Sequence, residues 1–329
     1  MAYFGVTATD AGLAAASDGE GLDEGLRRRL AGVTPGAPIV VMVHGYNYDP
    51  ARPDADPHRS LFAFVPSRDG RRIRSWPTGL GFAEDSGESG LAIGFGWPAM
   101  ERHLPNLLRR RRTGFAIVYD RAEAVGEHLA ALVRSVQRLA PGRPVDILAH
   151  SLGARVALAA LPHLAEAPGR VILLGAAEFD GRARESLAAV RSASPPDVYN
   201  VTARANDPYD LAFETFARRR GWEERAVGRG LGDERPHWLD LQLDRPEVTA
   251  WINERGIRLK PPESRLCHWG FYTRSGALAV YQAILRRRPG WDIQSLRAVP
   301  GLAAQEPRWS RLVRGVGPWS PDGGRIAFE

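Results

Sequence analysis

Residues 148–155 read "LAHSLGAR": a serine stands at the end of an apolar run, with a small residue two places on either side. A serine hydroxyl is a weak nucleophile until a base takes its proton and an acid holds that base in the right tautomer. The stretch therefore asks for a histidine and a carboxylate elsewhere in the chain. Ser151 lies between Ala149 and Gly153, one substitution away from the G-x-S-x-G turn, in which a strained serine is presented above a sheet between a strand and a helix. The same residues also read as a plain strand-to-helix turn, or as a helix capped by the Ser151 side chain.

The partners can be sought by chemistry. "VMVHGYN" (41–47) ends another apolar run, and its glycine lets a backbone come close. An acyl-transfer site needs two N–H donors for the oxyanion, and those of Tyr46 and Leu152 are the candidates. Gly45 and Gly153 support the approach, His44 reads as a brace for its loop, and His150 as a support that projects away from the reacting atoms. For the acid, Asp207 in "TARANDPYD" follows a strand-like run, with Asp210 and then Asp180 as rivals. For the base, His268 in "RLCHWGFY" is preferred to His237 in "RPHWLD". Trp97 and Trp269, with Tyr46 and Phe271, read either as an aromatic wall for substrate or as core.

These residues need a scaffold that collects them. "APIVVMVHGYN", "GLAIGFGWP", "PVDILAHS", "RVILLGAAEF" and "DVYNVTARAND" are short apolar runs that end in polar residues, as buried parallel strands do. Between them, Val125, Leu129, Leu132, Val136 and Leu139 recur at helical spacing, with Asp120 and Glu123 as a capping box at the helix start. "LGARVALAALPHL" and "GALAVYQAILRRR" read as further helices. The alternation predicts an α/β fold, a mostly parallel central sheet with helices on both faces and its site at the carboxyl ends of the strands. Residues 48–89, rich in Pro, Gly, Asp and Ser, read as an insertion bordering or covering that site. Residues 300–329 read as a C-terminal extension, with "VGPWSPDGGRIAFE" as a terminal hairpin.

Composition bounds the rest. The chain has 329 residues, 44% hydrophobic and 25% charged, enough for one domain with a sizeable core. The net charge of +6 rests on arginine, with Lys260 the only lysine. The runs 109–112, 218–220 and 286–288 fit solvated helix ends better than a nucleic-acid face. One cysteine, Cys267, rules out an intrachain disulfide, and neither a thiolate metal site nor a glycine-rich phosphate loop is visible. With no leader or long apolar span, the expectation is a cytoplasmic protein without stable membrane insertion, metal or other cofactor, its oligomeric state left open.

Taken in order, "VHGYN", "GWP", "YD" before a helix, "AHSLG", Asp207 and His268 resemble the α/β-hydrolase superfamily, within it a bacterial family of hydrolases of largely unknown function. The resemblance spans roughly residues 38–285. It implies a serine hydrolase without cofactor, cleaving a small-molecule carboxylic ester through Ser151, Asp207 and His268 in that order, a thioesterase, lipase or acyltransferase being possible with the same residues. The binding protein that keeps the fold without turnover is the other reading. Dehalogenases and epoxide hydrolases need a carboxylate where Ser151 stands. The leading antiparallel hairpin of that fold is hard to find in residues 1–36, where only "AYFGVTA" suggests a strand, so the sheet is expected to be shortened at its N-terminus.

Overall fold

A computed structural model describes residues 2–313 other than 18, 68, 69, 71, 102–113, 218, 233 and 234. Two strands open the chain, β1 (Tyr3–Thr9) and β2 (Gly12–Ala15), paired antiparallel across a tight turn at Asp10 and Ala11. Next come α1 (Leu22–Ala31), β3 (Ile39–Val43), α2 (Trp76–Gly79), β4 (Leu91–Gly96), α3 (Gly114–Leu139), β5 (Val145–His150) and α4 (Leu152–Ala160). The second half supplies β6 (Arg170–Leu174), α5 (Asp180–Ala188), β7 (Asp197–Thr202), α6 (Asp207–Phe216), β8 (Trp238–Gln242) and α7 (Pro246–Glu254). Four short helices follow: α8 (Gly270–Thr273), α9 (Ala277–Leu285), α10 (Ile293–Arg297) and α11 (Ser310–Val313).

The strands form one sheet in the order β2-β1-β4-β3-β5-β6-β7-β8, parallel throughout except for β2 at the edge. Alternation along the central strands divides the interior in two. Ile39, Val41 and Val43 face a core shared with Leu26 of α1, Leu129 and Val133 of α3 and Val156 of α4. Val40 and Met42 face the opposite core, built with Trp76, Trp251, Tyr272, Tyr281 and Leu296 from α2 and α7–α10. β-Branched residues buried on both sides are what a parallel sheet covered by helices requires, and the α/β expectation is met.

Three expectations change. The N-terminal hairpin is present, so the sheet is not shortened: its first strand lies parallel to β4 and its second caps the edge. The long helix already runs at Gly114, which puts Asp120 and Glu123 inside α3 rather than at its cap; Glu123 is spent on an ion pair with Arg155 at 2.7 Å. β8 was not among the anticipated strands, because Asp240 and Gln242 break its apolar pattern. They are nonetheless buried, Asp240 accepting from Asn200 Nδ2 and Trp238 Nε1 at 2.8 Å each. The 48–89 stretch packs Leu61, Phe62, Trp76, Leu80 and Phe82 into the second core, and its Arg72 reaches the loop that carries His268. The run 109–112 and the hairpin expected over 316–329 lie outside the described residues.

Candidate active site

Ser151 follows β5 directly and precedes α4 with φ +55° and ψ −123°, a backbone state that costs a side-chain-bearing residue about 1–3 kcal/mol. Three backbone bonds hold it there: Ser151 N–H donates to Leu174 O at 3.0 Å, and the N–H groups of Ala154 and Ala177 donate to Ser151 O at 3.0 and 3.1 Å. The side chain caps nothing, so the helix-cap reading falls and the strained turn stands. The rest of the turn depends on close approach. A Cβ on Gly153 would lie 2.6 Å from the carbonyl oxygens of both Val43 and His44, so only glycine lets α4 start against the end of β3. Gly153→Ala is expected to push the two apart, costing about 1–3 kcal/mol of stability and about 10²-fold in kcat. Urea unfolding and ester turnover on the same preparation check both. Gly45 makes the reciprocal contact, its missing Cβ facing the Ser151 Cβ at 2.7 Å.

The "HGY" loop is braced from β4. His44 is fully buried and its ring lies parallel to Trp97 at 5.7 Å. Trp97 N–H donates to His44 Nε2, and Trp97 Nε1–H donates to His44 O, both at 3.0 Å. His44 Nδ1–H donates to Gly45 O at 2.9 Å. Burial drops this imidazole to about 3, so it stays neutral, as an acceptor at Nε2 must be. Trp97 is fully buried as well; it serves as a brace for the loop and offers no surface to a substrate. Beyond this brace, the backbone N–H groups of Tyr46 and Leu152 donate to no group among the described residues, which leaves two such donors beside Ser151.

His268 reaches the site from the loop between α7 and α8. Cys267 N–H donates to Ala205 O at 2.9 Å and so ties this loop to the segment after β7. The His268 ring is half-buried between His150, at 4.6 Å, and Tyr209, at 4.9 Å. His150 therefore does not project away: it is 4% exposed, its ring lies tilted against that of His268, and it donates from Nε2 to His268 O at 3.2 Å. Burial lowers His150 to about 4, and burial followed by the neighbouring His150 holds His268 well below its ordinary range. Both rings are neutral at neutral pH. Trp269 sits edge-on to His268 and lies under the Arg72 guanidinium, 3.8 Å from ring centre to cation. Phe271 is core, and Tyr46 is half-exposed against Phe115.

The group that holds His268 is not Asp207. His268 Nδ1 lies 2.7 Å from Asn206 Oδ1, and Asn206 Nδ2 donates to Asp210 Oδ1 at 2.9 Å. Since Asn206 Oδ1 only accepts, Nδ1 carries the proton and Nε2 keeps its lone pair. Asp207, fully buried one residue later, accepts from Trp309 N–H at 2.6 Å and pairs with Arg204 at 3.4 Å. It anchors the C-terminal segment. The displacement arises because residues 204–206 form a 3-10 turn before α6, and that turn aims Asn206 at the loop and Asp207 behind it. The four-residue spacing of Asn206 and Asp210 was the available signal. Asp180 accepts from Gly181 and Arg225 N–H at the start of α5. His237 is paired with Asp197 at 3.0 Å, at the amino ends of β7 and β8, the wrong end of the sheet for a base to Ser151.

Neither Ser151 Oγ nor His268 Nε2 makes a hydrogen bond among the described residues. No described group of three or more His, Cys, Asp or Glu side chains gathers as a metal site, and no described helix is long and apolar enough to cross a membrane. Residues 78–190 match the family model described as alpha/beta hydrolase of unknown function (DUF900), a stretch running from within α2 to just past α5 and holding the Ser151 turn. No curated protein matches the chain.

Proposed function

We propose that this chain, whose mostly parallel sheet and helices are consistent with an α/β-hydrolase fold and whose residues 78–190 match an alpha/beta hydrolase family model, is a serine hydrolase that cleaves carboxylic esters through an acyl-enzyme. One observation carries the reading: a strained serine shares its surroundings with two unengaged N–H donors and a neutral imidazole whose Nε2 keeps its lone pair. Ser151 Oγ attacks the ester carbonyl as His268 Nε2 takes its proton. The N–H groups of Tyr46 and Leu152, the latter at the positive end of α4, hold the oxyanion. His268 then gives the proton to the departing alkoxide, and water repeats the sequence to release the acid. Hydrogen bonds of this kind commonly tighten only with substrate bound, and the unpaired hydroxyl and Nε2 are free to make one.

The low affinity of His268 for protons keeps the ring neutral as the pH falls through 6.5, so formation of imidazolium does not set the acid limb of kcat/KM in that range. The test is labelling with a fluorophosphonate, followed by peptide mapping and a panel of p-nitrophenyl esters of graded chain length. A single adduct on Ser151 and turnover of at least one ester are expected. A folded protein that takes up no probe and cleaves no ester would leave a binding protein on this scaffold.

A further inference from the structure

Asp210 has no part in the steps above, yet its setting is unusual. It lies in the first turn of α6 and is 3% exposed. Its Oδ1 accepts from Asn206 Nδ2, while Oδ2 is buried without a partner. The charged groups around it are committed elsewhere. Arg204 turns to Asp207 and to Gly228 O, and Arg308, from the C-terminal segment, pairs with Glu214 at 2.9 Å. The backbone at Gly228 presses on the carboxyl so closely that a Cβ there would fall 2.4 Å from Oδ1. Among the described residues the Asn206 amide is thus the only hydrogen-bond partner of this carboxyl group, and the other end of that amide holds His268.

An amide can be turned over with little change of shape, and what fixes it is the chemistry of its neighbours. An ionised carboxylate only accepts, so it draws Nδ2 and sends Oδ1 to His268. A protonated carboxyl can donate to Oδ1, which lets Nδ2 face the imidazole instead. We propose that Asp210 is a positioning residue that sets the orientation of Asn206 and, through it, which nitrogen of His268 carries the proton. This rests on His268 being the base. Ionised Asp210 keeps the proton on Nδ1 and Nε2 free to receive one from Ser151. Protonated Asp210 lets the proton move to Nε2, where the base is lost.

Burial raises Asp210 to about 8; Arg204 and Arg308 pull it down, and Asp207 and Glu214 push it up. His268, on the far side of Asn206, and His150 beside it are neutral across this range. Labelling of Ser151 by a fluorophosphonate should therefore rise about 10²-fold from about pH 6 to about pH 9, centred near 8. The full-length Asp210→Asn protein should stay near the low-pH rate without that rise, with kcat for an ester lowered and KM little changed. Asn206→Asp puts a carboxylate directly on His268, and adding Asp210→Asn to it should then cost little. Nitrogen-15 shifts of the His268 ring read the tautomer without any turnover: Nε2 protonated below the step, Nδ1 above it. An Asp210→Asn profile that keeps the wild-type rise, or an equal loss in both backgrounds, overturns the proposal. So does a tautomer that stays fixed through the step. If Asp210→Asn does not fold, Asn206→Asp decides alone, since it must lose the step near 8. Wild type that never labels, but whose ring nitrogens switch as described, overturns the hydrolase reading and upholds the link from Asp210 to His268.

Discussion

Replacing Ser151 by alanine is expected to lower kcat for an activated ester by about 10⁴–10⁶-fold, with stability unchanged or slightly raised. The loss follows from the division of labour proposed for the site. The two N–H donors remain, but no atom is left to form the acyl bond. Stability should not fall with activity, because the Ser151 side chain caps no helix end and makes no hydrogen bond among the described residues, while the backbone strain at φ +55° remains in either residue. His268→Ala should cost a similar factor, and the double variant little more than either alone, since nucleophile and base act as one unit. Burst kinetics with a p-nitrophenyl ester check this directly. Independent, multiplying losses would mean that the two side chains do not share a step.

The second large effect concerns the helix that carries Ser151. Arg155, one turn further along α4, is 2% exposed and joins three elements. It donates from Nε to Tyr119 O at 2.7 Å and from Nη1 to Glu178 at 2.6 Å, and its Nη2 reaches Glu123. Glu178, 3% exposed, also accepts from Tyr119 Oη and from its neighbour Phe179 N–H. Arg155→Met strips this carboxylate of its counter-charge in a dry setting and is expected to cost about 3–5 kcal/mol, read as a lower urea midpoint. Adding Glu178→Gln should restore part of that loss, because the stranded charge disappears with it. A single variant with an unchanged midpoint would mean that water reaches Glu178.

Much of this was legible in the residues themselves. Five of the eight strands announce themselves as short, mainly apolar runs with polar ends, because a strand covered on both faces has few positions open to water; the buried Asp146 and Asn200 interrupt two of them without hiding the pattern. The serine turn and the glycine beside it are readable for the same kind of reason: a backbone that must come within contact of another tolerates few side chains. β1 and β2 are harder to see at the sheet edge, where burial is partial, and β8 is hidden by Asp240 and Gln242, polar groups paid for by hydrogen bonds that only the packed structure supplies.

The sequence by itself determined the class of fold, the strand ends at which a site is expected, and the serine and histidine proposed to share it. The tertiary structure decided the rest: that the imidazole of His268 is held by Asn206 and not by the acid beside it, that Trp97 braces a loop and is fully buried, and that the His150 ring lies tilted against His268. The reason is geometric. Periodicity and residue type fix which face of an element is buried, whereas hydrogen bonds between distant segments depend on fractions of a turn, and a single 3-10 turn before α6 exchanges the places of two adjacent side chains.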